Sequence, residues 1–316
     1  MRAAVYRRYG LPEVVAAAEL PTPEPGVGEV LVRVRAASVG AADGAARRGT
    51  PRVVRLFSGL FNPRLPVLGS DFAGEVTAVG DGVTTFAVGD RVVGASGPRL
   101  GCHAQYVTAP ASGVITALPA GVSFEQAAAL MDGALTALPF LRDGGRIRPG
   151  HRVLVNGASG SVGSAGVQLA KHFGAHVTAV TSGPNVELVR SIGADVVIDY
   201  GTHDFTEGDD RYDIVFDAVG TSSYRAARRV LTRDGMYLST VPGALLPSLF
   251  TRRAAVLFTG LRKRDLIAPD AATLVELASA GILVPLIDSR YDLERVAGAH
   301  ARVDSGRKRG TVVLHP

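Results

Sequence analysis

One cysteine in 316 residues, Cys102, leaves no partner for an intrachain disulfide and no set of thiolates for a multi-cysteine zinc site. Apolar runs are short. The longest candidate, residues 127–141, is broken by Asp132, Gly133 and Pro139, well below the roughly 20 residues a membrane-spanning helix needs. The opening MRAAVYRRYG carries charge but no apolar centre, so it does not read as a secretory leader, and a cytoplasmic chain is expected. Neither sign of charge dominates, with 34 Lys and Arg against 29 Asp and Glu and a net charge of +5. Basic residues cluster only at Arg252-Arg253, Arg262-Lys263-Arg264 and Arg307-Lys308-Arg309. Runs this short read as solvated faces, and nucleic acid is not an expected partner. There is no internal repeat and no low-complexity tract.

What the chain does have is concentrated in residues 151–200, HRVLVNGASGSVGSAGVQLAKHFGAHVTAVTSGPNVELVRSIGADVVIDY. Residues 152–156 form a short β-rich apolar run, as expected of a strand buried on both faces. Gly157, Gly160 and Gly163 follow at three-residue spacing, and Val162, Val167, Leu169, Ala170 and Phe173 then recur near helical spacing. Gly174 stops that helix, and residues 175–180 make the next strand. Strand, glycine turn, helix and strand in this order make a dinucleotide-binding βαβ unit.

The small residues are what such a turn requires. A pyrophosphate must reach backbone N–H groups at a helix N-terminus, and side chains there would block it. The fingerprint G-x-G-x-x-G appears here as Ala158-Ser159-Gly160-Ser161-Val162-Gly163. A tight strand-to-helix turn would also use glycine, but the flanking strands and the second helix favour the dinucleotide. The tip of the second strand, Thr181-Ser182-Gly183-Pro184-Asn185, has no carboxylate before Glu187. A carboxylate there would bind the ribose of NAD and repel a 2′-phosphate, so NADPH is the expected cofactor. No Lys or Arg lies between Thr181 and Glu187 to pair with that phosphate.

Residues 1–121 read as β-rich with frequent turns. EVLVRVR at 29–35 alternates apolar and charged residues, and 67–79 and 91–94 are further strands. Residues 50–66 have no period and read as a loop that could cover a site. Ser123-Phe124-Glu125-Gln126 is a capping box opening an alanine-rich helix. Beyond Tyr200 the α/β pattern continues with a strand at 212–217, a helix at 222–231, a strand at 236–240, a helix at 269–280 and a final strand at 311–314. That last strand is expected to return to the N-terminal domain. In an open α/β sheet the ligand lies beyond the carboxyl ends of the strands, so Val219 and Gly220 should border it.

The remaining titratable candidates are few. His172 and His176 are four apart, but Gly174 ends the helix between them, so no metal site is expected. His103 is a candidate pocket lining, with an ordinary surface histidine the alternative. Asp71, in Gly69-Ser70-Asp71-Phe72-Ala73-Gly74, sits among small and apolar residues, which would perturb its pKa; a buried Asp that fixes a turn is the plainer reading.

Together, the order of a β-rich domain, a Rossmann domain and a short β return, with 158–163, 69–74, Ser191-Ile192-Gly193-Ala194-Asp195 and Arg309-Gly310-Thr311-Val312-Val313, resembles the medium-chain dehydrogenase/reductases. It looks most like their zinc-independent, quinone oxidoreductase-like branch. The resemblance implies an α/β fold with a GroES-like catalytic domain at 1–121 and 266–316 and a doubly wound parallel-sheet Rossmann domain at 122–265. It implies that Ser159, Gly160, Ser161, Val162 and Gly163 hold the pyrophosphate, that Thr181, Ser182, Asn185 and Tyr200 surround the adenosine phosphate, and that Thr136, Val219 and Leu238 lie near the nicotinamide. Gly40, Phe57, Ser70, Met131 and Phe258 would line the acceptor pocket. No catalytic residue is assigned, and solvent would supply the proton.

Departures from the family pattern sharpen this. Zinc-dependent relatives place Cys and His-Glu where this chain has Gly40 and Ser70-Asp71, so no zinc is expected. Zinc-free relatives usually carry Asn in Ser-Val-Asn-Pro-Ala-Asp, where this chain reads Ser38-Val39-Gly40-Ala41-Ala42-Asp43. Asn185 stands where many NADPH-using relatives have Lys. The expected activity is hydride transfer from NADPH to a quinone or to the C=C bond of an α,β-unsaturated carbonyl. The alternatives are a pathway-specific enoyl reductase and a weakly catalytic NADPH-binding regulatory or RNA-associated protein. An apolar outer strand at 254–258 implies a homodimer joined through the Rossmann sheets.

Overall fold

The computed structural model describes residues 1–52, 55–241, 251, 253–256 and 262–316, with the side chains of Phe57 and Val256 left out. The expected pocket residue Phe258 lies outside the described residues, as do 257–258 of the expected outer strand. Two compact units are present. One comprises Met1–Asp132, Lys263–Ser279 and Leu286–Pro316, the other Gly133–Arg262 and Ala280–Pro285.

The first unit is built on antiparallel strands. β1 (Arg2–Tyr6) and β2 (Val15–Glu19) pair as a two-stranded sheet. β3 (Glu29–Val39) is the long strand that EVLVRVR begins: Val32 and Val34 are buried while Arg33 and Arg35 are exposed, the two faces that a period of two dictates. β4 (Asp71–Val79), β5 (Arg91–Ala95), β6 (Tyr106–Pro110) and β7 (Val114–Ala117) complete its first half. The strand expected from residue 67 starts only at Asp71, because Gly69 has φ 90° and turns the chain out of the extended region. Residues 50–66 are not wholly irregular: Arg55–Ser58 forms one helical turn. Tyr9 holds it, its hydroxyl meeting Ser58 Oγ at 2.9 Å and the Gly59 carbonyl at 2.7 Å, with the Arg55 guanidinium 4.5 Å from its ring centre.

The second unit carries the parallel sheet. β8 (Arg152–Asn156), β9 (His176–Thr181), β10 (Val196–Asp199), β11 (Tyr212–Asp217), β12 (Leu231–Ser239) and β13 (Ala254–Val256) lie in the order β10-β9-β8-β11-β12-β13, every neighbouring pair parallel. Val153, Leu154 and Val155 are fully buried, as the unbroken apolar run required. The expected helix at 222–231 shrinks to Tyr224–Ala227, because Leu231 already pairs with Tyr212 and the sheet overrides local helix preference. Among the described residues β13 is the outermost strand on its side of the sheet, the place its apolar sequence suggested.

The Ser123 capping box forms as read: Ser123 Oγ accepts the Gln126 N–H at 3.1 Å and Gln126 Oε1 accepts that of Ser123 at 3.0 Å. The run it opens is Phe124–Ala129, a π turn at Leu130–Ala134, Leu135–Pro139 and a second π turn at Phe140–Gly144. The helix expected at 269–280 begins earlier, at Arg264, and passes through Pro269, which has no N–H to donate within it. β14 (Ile287–Asp292) and the helix Val296–Asp304 follow. Last comes β15 (Thr311–His315), which inserts between β14 and β3 of the first unit as expected of the returning strand.

Candidate functional site

In the second unit the site is assembled at the carboxyl ends of β8, β9 and β11. Past Asn156 the chain turns at Gly157, φ 78°, and the N–H groups of Gly157 and Ala158 donate to the Val180 carbonyl at 3.1 and 3.0 Å. Gly160 caps the helix Ser161–His172 without any side chain, so the first amides of that helix are left to a ligand. A Cβ on Gly163 would lie 2.1 Å from the Gly157 carbonyl oxygen; only glycine lets the helix lie this close to its turn. A Cβ on Gly160 would meet nothing nearer than 3.5 Å, so that face of the turn is open. This cradle fits a pyrophosphate.

Beside it lies a knot of hydroxyls. Ser159 Oγ accepts from Thr181 Oγ1 at 3.0 Å and from Asn185 Nδ2 at 3.1 Å, and Ser182 Oγ accepts from the same amide at 3.1 Å. Ser159, Thr181, Ser182 and Asn185 are thus brought together as read. Ser159 Oγ accepts two of these bonds and Ser182 Oγ one, and neither hydroxyl donates its proton to another described residue. Asn185 Oδ1 is buried with no hydrogen-bond partner. Tyr200 follows, its N–H bonded to the Thr181 carbonyl at 3.0 Å and its side chain largely exposed. Reading only 181–187 missed one group: Asp199, from the end of β10, places Oδ2 2.8 Å from where a Gly183 Cβ would be. Its sequence neighbours gave no sign of that approach.

At the end of β11, Asp217 is fully buried and ties the turn. It accepts from the N–H groups of Gly220 at 2.8 Å and Ser222 at 3.0 Å, from Asn156 Nδ2 at 2.9 Å and from the Tyr237 hydroxyl at 2.9 Å. Gly220, φ 74°, and the half-exposed Val219 are held at the strand end. Thr136 is half-buried in Leu135–Pro139. Leu238 is fully buried in β12, so within this unit it packs in the core and presents no surface.

In the first unit the end of β3 meets β4. Ser38 Oγ donates to Asp71 Oδ2 at 2.8 Å, and the Ser38 carbonyl lies 2.8 Å from His103 Nε2. Asp43 accepts the N–H groups of Gly40 at 2.8 Å and Gly69 at 3.1 Å. Burial, followed by the charge of Asp132, pushes the Asp71 carboxyl up to about 7, and burial also raises Asp43. Asp71 is therefore both the perturbed group and the bonded group that its sequence setting suggested. His103 is not a surface histidine: it is fully buried, its ring 5.9 Å from that of His300. Cys102 is buried too, its thiol raised by burial and bonded to Ser96 Oγ at 3.2 Å. Gly40 is buried and Ser70 half-buried beside this cluster, while Met131 is almost fully buried. Among the described residues no group of three or more His, Cys, Asp or Glu is placed to hold a metal ion, and no helix is long and apolar enough to cross a membrane.

Residues 26–120 match the alcohol dehydrogenase GroES-like domain, and residues 192–314 match a zinc-binding dehydrogenase domain. A quinone oxidoreductase of Pseudomonas aeruginosa is 33% identical over 331 residues, covering 98% of each chain. The chain belongs to the medium-chain dehydrogenase/reductases. A chloroplastic NADPH-dependent alkenal/one oxidoreductase of Arabidopsis thaliana is 32% identical, over all of this chain and 80% of that one. The Escherichia coli quinone oxidoreductase complexed with NADPH superposes with a TM-score of 0.87 at 28% identity, each chain covered completely. As a medium-chain dehydrogenase/reductase the protein is an oxidoreductase with a nicotinamide cofactor and a small-molecule substrate. The GroES-like and Rossmann architecture read from the sequence is the architecture found.

Proposed function

We propose that this protein is an NADPH-dependent reductase, independent of zinc, that delivers a hydride to a quinone or to the β-carbon of an α,β-unsaturated carbonyl. The observation that carries this is the residue set at the end of β3 and start of β4. Gly40, Ser70 and Asp71 stand where zinc-dependent relatives have Cys and His-Glu, and neither Gly40 nor Ser70 is a plausible ligand for a Lewis-acidic metal. Acceptors already activated by conjugation do not need one.

The nicotinamide supplies the hydride. The chain's own residues bind and orient. The helix Ser161–His172 offers its first amides to the pyrophosphate, and the Ser159 and Ser182 hydroxyl protons are free to donate to a 2′-phosphate. Asp217 fixes the Val219-Gly220 turn against which the nicotinamide would rest. Gly40, Ser70 and Met131 would line the acceptor side, and solvent protonates the reduced acceptor. The arginine clusters favour no nucleic-acid role: Arg253 donates to the Thr232 and Gly235 carbonyls and Arg262 pairs with Asp143. We further propose a homodimer joined through β13, the last strand of its sheet among the described residues. Light scattering at micromolar concentration should give a dimer mass that falls to the monomer on Val256→Lys.

A panel of quinones and enones with NADPH oxidation as readout tests the activity. Turnover of at least one acceptor class is expected. NADPH binding without turnover of any panel member would refute the reductase reading.

A further inference from the structure

Exposed apolar side chains gather on one short segment of the first unit. Leu56, Leu60, Phe61 and Leu65 are between 43% and 83% exposed, Phe61 the most of the four. Single apolar residues scattered over a surface are ordinary, whereas a group of large ones marks a contact. The segment that holds them is closed on itself. The Gly59 N–H donates to the Arg55 carbonyl at 3.0 Å, and the Arg64 N–H donates to that of Ser58 at 2.8 Å. Gly59, φ 121°, sits where a Cβ would overlap the Asn62 carbonyl oxygen, so the chain doubles back with Leu60 and Phe61 at the tip of the turn. The Tyr9 hydroxyl ties the base of this turn to residues 7–11, where Leu11 is exposed as well. At the other end the Tyr6 N–H donates to the Pro66 carbonyl at 2.9 Å.

The charge along this segment has one sign. Residues 44–70 contain five arginines and no Asp or Glu, and residues 7–11 add Arg7 and Arg8, again without an acid. Arg47 and Arg48 pair with Asp304, and Arg55 lies over the Tyr9 ring with carbonyls as its acceptors. Arg7, Arg8, Arg52 and Arg64 are exposed and form no ion pair with any described residue. Asp43 and Asp71, the acids that bracket 44–70, are buried, and Glu13, the first acid after Leu11, is exposed.

A second copy of this face would set arginine against arginine. A partner protein would need an apolar groove bordered by acids. An anionic bilayer offers both features at every point of its surface, since its acyl boundary takes up a projecting apolar tip and its phosphates take the guanidinium groups beside it. We propose that the turn at 59–62 docks the protein on the surface of an anionic phospholipid bilayer, with Leu60 and Phe61 inserted and Arg52 and Arg64 on the phosphates. The chain does not span the bilayer in this arrangement. The docking does not rest on the reductase reading and is tested without turnover.

The test is flotation of the full-length protein with extruded vesicles, either of phosphatidylcholine alone or with about one third phosphatidylglycerol. Anionic vesicles should carry about tenfold more protein than neutral ones. Salt at about 1 M, where the screening length is about 3 Å, should release most of it. Leu60→Ser with Phe61→Ser, and separately Arg52→Glu with Arg64→Glu, should each lower binding about tenfold. All four side chains are exposed, so thermal unfolding of both double variants should match the parent and separate lost docking from a lost fold. Equal binding to neutral and anionic vesicles, or binding that survives both double variants, overturns the proposal. No binding to either vesicle also overturns it and leaves a partner protein as the occupant of the face. A mass in light scattering without lipid that falls on Leu60→Ser with Phe61→Ser would make the face a contact between copies of this chain, and the proposal would fall.

Discussion

Asp71→Asn should stabilise the protein in alkali and not in acid. The carboxyl is buried and accepts one hydroxyl bond from Ser38, and its pKa is pushed from the ordinary 3.8 up to about 7 by burial first and the Asp132 charge second. An acid whose folded pKa lies above its unfolded value binds its proton more tightly when folded. Its contribution to stability is whole below 3.8 and is lost as pH rises through about 7. At about 1.4 kcal/mol per pH unit, that gap amounts to about 4 kcal/mol, of which about 3 kcal/mol is lost between roughly pH 5 and pH 8. Asparagine has nearly the same shape, still accepts the Ser38 hydroxyl, and cannot ionise. Urea unfolding of both proteins at the two pH values, followed by far-ultraviolet circular dichroism, isolates Asp71, because every other titrating group is common to the pair. Asp71→Asn should exceed the parent in stability by about 3 kcal/mol more at the higher pH than at the lower. Unfolding free energies that move in parallel across the range would show that the buried carboxyl does not resist ionisation, and the reasoning from burial would fail.

Gly163→Ala forces a methyl group to within 2.1 Å of the Gly157 carbonyl. Backbone cannot yield there cheaply, so a loss of about 1–3 kcal/mol in stability and at least about tenfold weaker dinucleotide binding are expected, read by thermal unfolding and calorimetry. NADPH should bind about tenfold more tightly than NADH, about 1.4 kcal/mol, and Ser182→Asp should reverse that order; equal affinities in calorimetry would remove the hydroxyl tip as the discriminating feature. Elemental analysis of the purified protein should find no stoichiometric zinc, and a chelator should leave activity unchanged; about one zinc per chain with activity lost on its removal would contradict the residue set at Gly40 and Ser70.

The parts of the fold legible in the sequence are those where a local requirement leaves few residue choices. β8 could be read because a parallel strand buried on both faces needs an unbroken apolar run, and the glycine turn because helix and turn approach too closely for a Cβ. The Ser123 capping box and the αL stop at Gly174, φ 78°, are equally local. Elements shaped by distant partners were not legible. β14, IDSRYD, shows no clean alternation, since Ile287, Asp288, Ser289 and Arg290 lie along a strand with little difference between its faces. The helix Ala41–Arg48 contains Gly44 in its middle and so lacks a strong local preference for helix. The site divides the same way. The phosphate cradle is one continuous segment and could be named in advance, whereas the meeting of Gly183 with Asp199 is made by the fold. His103, in Gly101-Cys102-His103-Ala104, gave no periodic signal that it would be buried.

The position of β15 bears on how the chain can come together at all. The six strands β8 to β13 fall within residues 152–256, so their sheet has every member once that segment has been made. The seven-stranded sheet must leave one edge of the Ala37-Ser38-Val39 end of β3 unpaired, while Ala37 meets Phe72 of β4 on the other, until residues 311–315 arrive to pair with it. During synthesis, when domains fold as units from the N-terminus onward, the segment made first is therefore the one finished last. Closing so long a loop is slow compared with local pairing. Through that interval the end of β3 that carries Ser38 and leads to Gly40 keeps an open strand edge, exposed to mispairing.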